Sequence, residues 1–380
     1  MKAIINGKII LEDQVLKNHT LFFDETILQI EKNIPLDLVD EIIDAKGNYV
    51  SPGFIDLHVH GAMGHDVMDA NVAGLKVIGE EILKNGVTSF LPTTMTMPKK
   101  AIHAAIASVK KLIALRNYKG ATPLGVHLEG PFINPEKKGA QNGAYIAKPS
   151  IDFIKEHLDL IKIITYAPEM DPNNIFIQAM KDYPNIVLSL GHTQASYEEA
   201  KEAFEYGAKS ITHLFNAMTG LHHRKPGVVG AALSLDFYCE LIADKIHVSP
   251  ALFQMLVDQK KDKLILVTDG MAAKCMRPGT YSLGGQRVIV DETSARLEDG
   301  VLAGSILKLN EGVKNFHDHI EEEINTAVNM ASLYPARLIG VSKDLGSIEK
   351  GKKADLLIFN ENIEIQRTIK NGRVVYQEAK

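Results

Sequence analysis

Between residues 52 and 271 short apolar runs alternate with segments of helical periodicity, and that alternation leaves the chain few folds to adopt. The runs read "GFIDLHVHG", "GVTSFLPTT", "PLGVHLEGP", "KIITYAPE", "IVLSLGHT", "SITHLFNAM", "CELIADKIHV" and "LILVTDGM". Between them, stretches such as "VAGLKVIGEEILKNG" and "YEEAKEAFEYGA" repeat their apolar residues at three- and four-residue spacing and close on Gly. Eight strands alternating with helices predict an α/β protein built on a (β/α)8 TIM barrel. A doubly wound open sheet also alternates, but it does not call for eight such evenly spaced repeats.

The flanks follow a different rhythm. "KAIINGKIIL" and "LFFDETILQIEK" near the start, and "GSIEKGKKADLLIFNENIEIQRTIKNGRVVYQ" near the end, read as short strands separated by turns, with a hairpin signal at Asn371-Gly372. Neither flank carries enough apolar surface for a core of its own. Together they predict one small β-sandwich, residues 1–50 supplying its first part and 346–380 its second, around a hydrolase barrel at 51–345. A strand-rich stretch at 279–305, "GTYSLGGQRVIVDETSARLEDGVLAGS", is expected to form hairpins over the barrel mouth.

Barrel enzymes gather their chemistry where the strands end, at the C-terminal face. Here the first run ends at His58 and His60, an i, i+2 pair that a strand points to one side. The third run offers His127 and Glu129, the fifth His192, the sixth His213 and Asn216, the seventh leads to His247, and the eighth ends at Asp269. Any one of these histidines alone could be a satisfied structural residue. As a set converging on one mouth they predict a first-row divalent metal site. His58, His60, Glu129, His192, His213 and Asp269 are more ligands than one zinc with an open position needs. Two ions bridged by Glu129 fit the number, and a water between them would yield hydroxide near neutral pH, with Asp269 to carry its proton.

Composition excludes the other broad classes. With 380 residues and 45% hydrophobic content the chain can bury a full core. A net charge of −5 with both signs interspersed gives no basic stripe for nucleic acid and no polybasic segment for a membrane. The opening "MKAIINGKIILEDQ" lacks a long apolar segment, and no run approaches a membrane span, so a cytoplasmic protein is expected. Cys239 and Cys275 are too few for a disulfide framework and are expected to be buried or incidental thiols.

The motifs resemble those of the amidohydrolase superfamily and, within it, of the N-acetylglucosamine-6-phosphate deacetylases. "PGFIDLHVHG", the later histidines and the eighth-strand aspartate carry the superfamily likeness. "HLEGPFINPEKKGA", "LGHTQA", "THLFNAM", "VTDGMAA" and "LAGS" carry the closer one, which runs essentially end to end. Other superfamily members often bridge their metals with a carbamylated lysine on the fourth strand. Here that strand ends "YAPE" without a lysine, and Glu129 stands ready on the third.

The resemblance implies hydrolysis of N-acetylglucosamine 6-phosphate to glucosamine 6-phosphate and acetate, in amino-sugar catabolism and cell-wall recycling. It makes Glu129, His192 and His213 metal ligands, and His58 and His60 an additional pair that only some members keep. It also makes Asp269 the catalytic acid/base and a further candidate ligand. One or two divalent ions per chain are implied, Zn, Fe, Mn or Co being equally suited to these donors. Substrate contacts are implied for Ala140, Gln141, Asn216, Ala217, His247 and the Leu302, Ala303 and Gly304 backbone. His223 and Arg224, in "LHHRKPG", match a phosphate-binding segment that in relatives reaches in from the neighbouring subunit, which implies a homodimer with a shared active site. Some relatives carry a histidine where Gln141 stands. A different amidohydrolase, such as a cyclic amidase or deaminase, and a non-catalytic barrel are the alternatives; "HLEGP" argues against the first and the full ligand set against the second.

Overall fold

The computed structural model describes residues 1–32, 39–115 and 117–379. Eight strands form the predicted barrel: Phe54–Val59, Val87–Thr94, Val126–Glu129, Ile161–Tyr166, Val187–Leu190, Ser210–Ile211, Tyr238–Ile242 and Leu264–Val267. Each is parallel to the next. The ring closes at its C-terminal mouth, where the first strand meets the chain just beyond the eighth. There Asp269 N–H donates to His58 O at 2.8 Å and His60 N–H to Gly270 O at 2.8 Å. The closure therefore runs through three of the residues singled out by sequence.

The intervening helices form for reasons visible in their sequences. Tyr197–Tyr206 starts with a reciprocal capping box between Ser196 and Glu199 and stops at Gly207, whose φ of 115° suits only glycine. Val72–Lys84 is capped by the Asn71 side chain, which accepts from Ala73 N–H. One continuous apolar cluster joins the strands (Phe54, Phe90, Leu128, Ile164, Leu266) to helix residues such as Leu75, Ile78, Val109 and Leu256. Each such side chain contributes roughly 1.5–3 kcal/mol on burial, so the strand positions that carry the site rest on a rigid frame.

The two flanks meet in one eight-stranded sheet, ordered from Arg373–Gln377 through Ile365–Lys370, Leu356–Phe359, Tyr49–Pro52, Lys2–Ile10 and Val15–Phe23 to Ile27–Glu31, with Glu41–Asp44 also paired to Lys2–Ile10. Its own apolar cluster includes Ile4, Ile9, Leu21, Phe23, Leu356 and Ile369. Asn371 and Gly372 form the expected hairpin turn, both at positive φ (46° and 71°). Tyr49–Pro52 pairs antiparallel with Leu356–Phe359 and passes through Gly53 directly into the first barrel strand. A side chain at Gly53 would stand 2.2 Å from Thr88 Oγ1, so the junction requires glycine. The 279–305 stretch forms the three-stranded antiparallel sheet Gly279–Leu283, Gln286–Val290 and Ala295–Leu297. The chain then returns beside the eighth strand, where Ser305 N–H donates to Asp269 O at 2.7 Å.

Candidate active site

Six side chains from five strand ends meet, with the Glu129 carboxylate among them at the centre. Glu129 Oε1 lies 3.1 Å from His213 Nε2, 3.2 Å from His192 Nε2 and 3.4 Å from His58 Nε2. Its Oε2 lies 3.2 Å from His60 Nε2. Asp269 Oδ1 is 3.2 Å from His60 Nε2 and 3.5 Å from His58 Nε2. All six are buried. The strand ends reach this point through sharp backbone turns, since His192 (φ 49°), His213 (φ 32°) and Asp269 (φ 49°) occupy the left-handed region. Such conformations cost about 1–3 kcal/mol each in a non-glycine residue, and the surrounding barrel holds them.

Ring tautomers follow from the outer contacts. His58 Nδ1 is 3.0 Å from Glu240 Oε2, His60 Nδ1 is 3.2 Å from Thr93 O, and His192 Nδ1 is 2.8 Å from Lys137 O. A carbonyl or carboxylate oxygen can only accept, so each Nδ1 carries the hydrogen and donates it. In the neutral ring each Nε2 then presents a lone pair to the centre. Lone pairs facing one another and a carboxylate, as between His58 and His60 Nε2 at 3.3 Å, repel unless a cation lies among them. Ligands bound at about 2.0–2.1 Å in a tetrahedron are separated by about 3.3–3.4 Å, and these separations match. The residues therefore fit a divalent metal.

Electrostatics agree. Burial works to lower the His60 pKa, but the carboxylates of Asp269 and Glu129 outweigh it and raise it to about 9. His58 is likewise raised, against burial, by Glu129, Asp269 and Glu240. Burial would raise Asp269, yet the His58 and His60 imidazoles bring it down to about 2. The same negative field that draws protons onto the histidines would draw a cation.

Around this centre lies a cavity of about 730 Å³. Ala140, Gln141, Asn216, Ala217, His247, Leu302 and Gly304 line it together with His60, Glu129, His192, His213 and Asp269. His247 Nδ1 pairs with Asp244 Oδ2 at 2.6 Å. Gly304 has φ 61°, and a Cβ there would stand 2.9 Å from Asp269 O. Ala303 is buried but does not line the cavity; its N–H donates to Ala295 O at 3.0 Å. His223 and Arg224 are also outside it. They sit on an exposed turn, where Arg224 Nη1 lies 2.9 Å from His223 Nε2. His127 stays out of the ligand set, because Nδ1 donates to Leu57 O at 2.9 Å and Nε2 faces Thr165 Oγ1 at 2.7 Å. Both cysteines stand apart from the site, Cys239 fully buried and Cys275 partly so.

Sequence reasoning missed three supporting carboxylates. Asp56 accepts from Thr268 Oγ1–H at 2.6 Å, tying the first strand to the eighth directly beneath His58 and Asp269. Glu169 accepts from Thr193 Oγ1–H at 2.6 Å and Asn134 Nδ2–H at 2.9 Å, which fixes the loop that carries His192. Glu240 backs His58. The signal was there in two cases, an acid inside the apolar runs "GFIDLHVH" and "CELIAD".

The amidohydrolase family profile matches residues 49–375. The chain belongs to the amidohydrolase family. Among curated relatives, this amidohydrolase is 38% identical to an N-acetylglucosamine-6-phosphate deacetylase of Bacillus subtilis strain 168, over 97% of this chain and 95% of that one. It is 34% identical to an N-acetylgalactosamine-6-phosphate deacetylase of Escherichia coli O157:H7, over 97% of each chain. The crystal structure of N-acetylglucosamine-6-phosphate deacetylase from Pasteurella multocida superposes with a TM-score of 0.93 at 33% identity, over 99% of this chain and 100% of that one.

Proposed function

We propose that this amidohydrolase hydrolyses the acetamide of N-acetylglucosamine 6-phosphate, releasing D-glucosamine 6-phosphate and acetate. The observation that carries the reading is the convergence of the Nε2 atoms of His58, His60 and His192 on Glu129 and Asp269 at the wall of the cavity. Relatives named for this reaction support the substrate class.

Glu129, His192 and His213 would hold one divalent ion, and His58 and His60 a second, with Glu129 between them and Asp269 a further ligand. An ion held by these residues would supply Lewis acidity for the amide carbonyl and for water near neutral pH. Asp269, ionised by its surroundings, accepts the proton of the attacking water and then delivers it to the amide nitrogen. The C–N bond breaks as the amine leaves, and the acetyl carbon keeps the water oxygen as acetate. Asn216, Ala217, His247 and the backbone at Leu302 and Gly304 would hold the sugar against the centre. Gln141, fixed beside Glu129, can donate a hydrogen bond but is already committed to the carboxylate.

His223 and Arg224, which lie outside the cavity lining of their own chain, would bind the substrate phosphate of a second copy, making a homodimer with shared active sites. Among the described residues no helix is long and apolar enough to cross a membrane, and a cytoplasmic enzyme fits that. The deciding experiment is acetate release from N-acetylglucosamine 6-phosphate by metal-stripped protein, with Zn, Fe, Mn or Co restored in turn. The N-acetylgalactosamine isomer is assayed alongside it. No release with any metal overturns the proposal, and preference for the galactosamine isomer reassigns the sugar.

A further inference from the structure

Glu240 stands in the middle of the seventh barrel strand, fully buried. A carboxylate taken out of water is costly unless opposite charge lies close by. Among the described residues the only basic side chain within 4 Å of it is His58, through the 3.0 Å contact between Oε2 and Nδ1. The same Oε2 accepts from His213 N–H at 3.3 Å, and the Glu240 backbone oxygen accepts from Leu214 N–H at 2.7 Å. One residue thus orients His58 through its ring and steadies the left-handed turn that presents His213. Oε1 has no hydrogen-bond partner among the described residues.

Charge makes the arrangement specific. Glu129, Asp269 and Glu240 put three carboxyl groups in one buried volume. One divalent cation would leave that volume with a net negative charge. A second would remove that excess. The backing contact falls on His58, in the half of the centre that one ion would not need.

We propose that Glu240 is a positioning residue that commits the His58–His60 half of the centre to a second divalent cation. It does so by holding His58 Nδ1–H, which makes Nε2 a better donor, and by supplying the charge that a second ion balances. The inference rests on the two-ion reading above.

The test compares metal-replete wild type with Glu240→Gln and Glu240→Asp, using Co(II) titration followed by visible absorption and metal content by mass spectrometry. Glu240→Gln keeps shape and acceptor but loses the charge. It is expected to take the first ion with wild-type affinity and the second about tenfold to hundredfold more weakly. Glu240→Asp, which keeps the charge, should recover part of that loss. A merely structural residue would not divide the two ions in this way. Two ions bound by Glu240→Gln at wild-type affinity overturn the inference and leave the two-ion reading standing. A wild type that stops at one ion in excess Co(II) overturns both. Equal weakening of both ions in both variants, with a lowered thermal midpoint, overturns the positioning role.

Discussion

Gln141 donates its Nε2–H to Glu129 Oε2 across 2.6 Å. Its side-chain oxygen is itself held by Thr96 N–H at 2.6 Å, so the amide has one orientation available and presents its donor to the carboxylate. Gln141→Leu would leave a buried N–H and a buried carboxylate oxygen each short of a partner. An unsatisfied buried group costs about 1–3 kcal/mol. The expected outcome is a clear drop in thermal midpoint together with lower acetate release. Gln141→Glu should be worse, because an acceptor then faces Glu129. A Leu variant with unchanged unfolding and turnover would show that Gln141 merely fills space.

Metal binding should release protons. The protein's own carboxylates hold His60 at about 9, so at neutral pH the ring is protonated whenever no cation competes. A ligand must be deprotonated before it binds. Affinity is therefore expected to rise with pH up to about 9 and to level off above it. Calorimetry of metal re-addition in buffers of different ionisation enthalpy measures the released protons directly; a heat that does not vary with buffer contradicts the assignment. Chelation should also lower the thermal midpoint, since an ion present at 1,000 times its Kd contributes about 4 kcal/mol.

His58 and His60 were readable in the sequence because strand alternation alone puts i and i+2 on one side; the structure has His58 in the strand Phe54–Val59 and His60 just past its end. Glu129 was readable from its place at the end of the third strand, Val126–Glu129. His192 and His213 were readable as residues but not as geometry, since their approach depends on left-handed turns that no periodicity encodes. The supporting carboxylates were hidden for a different reason. Asp56 meets Thr268 across 212 positions of chain and Glu240 meets His58 across 182, contacts that exist only once the barrel has closed. The glycine stop of the helix Tyr197–Tyr206 is local, and it was legible in the sequence as the Gly207 that closes "YEEAKEAFEYGA".

Asp269→Asn should keep the fold and the ion held by Glu129, His192 and His213 while losing most turnover. The amide can still accept hydrogen bonds, but it cannot carry a proton from water to the leaving amine. Loss of a positioned acid/base costs about 100- to 10,000-fold. KM for the sugar phosphate should move little. Near-normal kcat with full metal content would place the proton transfer on another group.

Arg224 should set affinity for the phosphorylated sugar, and do so in the other subunit. It sits on an exposed turn bridged between His222 and Lys225, outside the cavity that holds Glu129 and Asp269 of its own chain. Its planar guanidinium suits bidentate contact with a phosphate. A charge-assisted contact of this kind contributes about 1.5–3 kcal/mol, so Arg224→Ala should raise KM about tenfold to a hundredfold. N-acetylglucosamine without the phosphate has no anion to lose and should be hydrolysed as before. Mixing separates the subunits. In a heterodimer of Arg224→Ala with Asp269→Asn, one cavity receives both an intact Asp269 and an intact Arg224 from across the interface. Such mixtures should regain activity at low substrate that neither parent shows. If they show no more than the parents, the turn serves its own chain or plays no part in phosphate recognition.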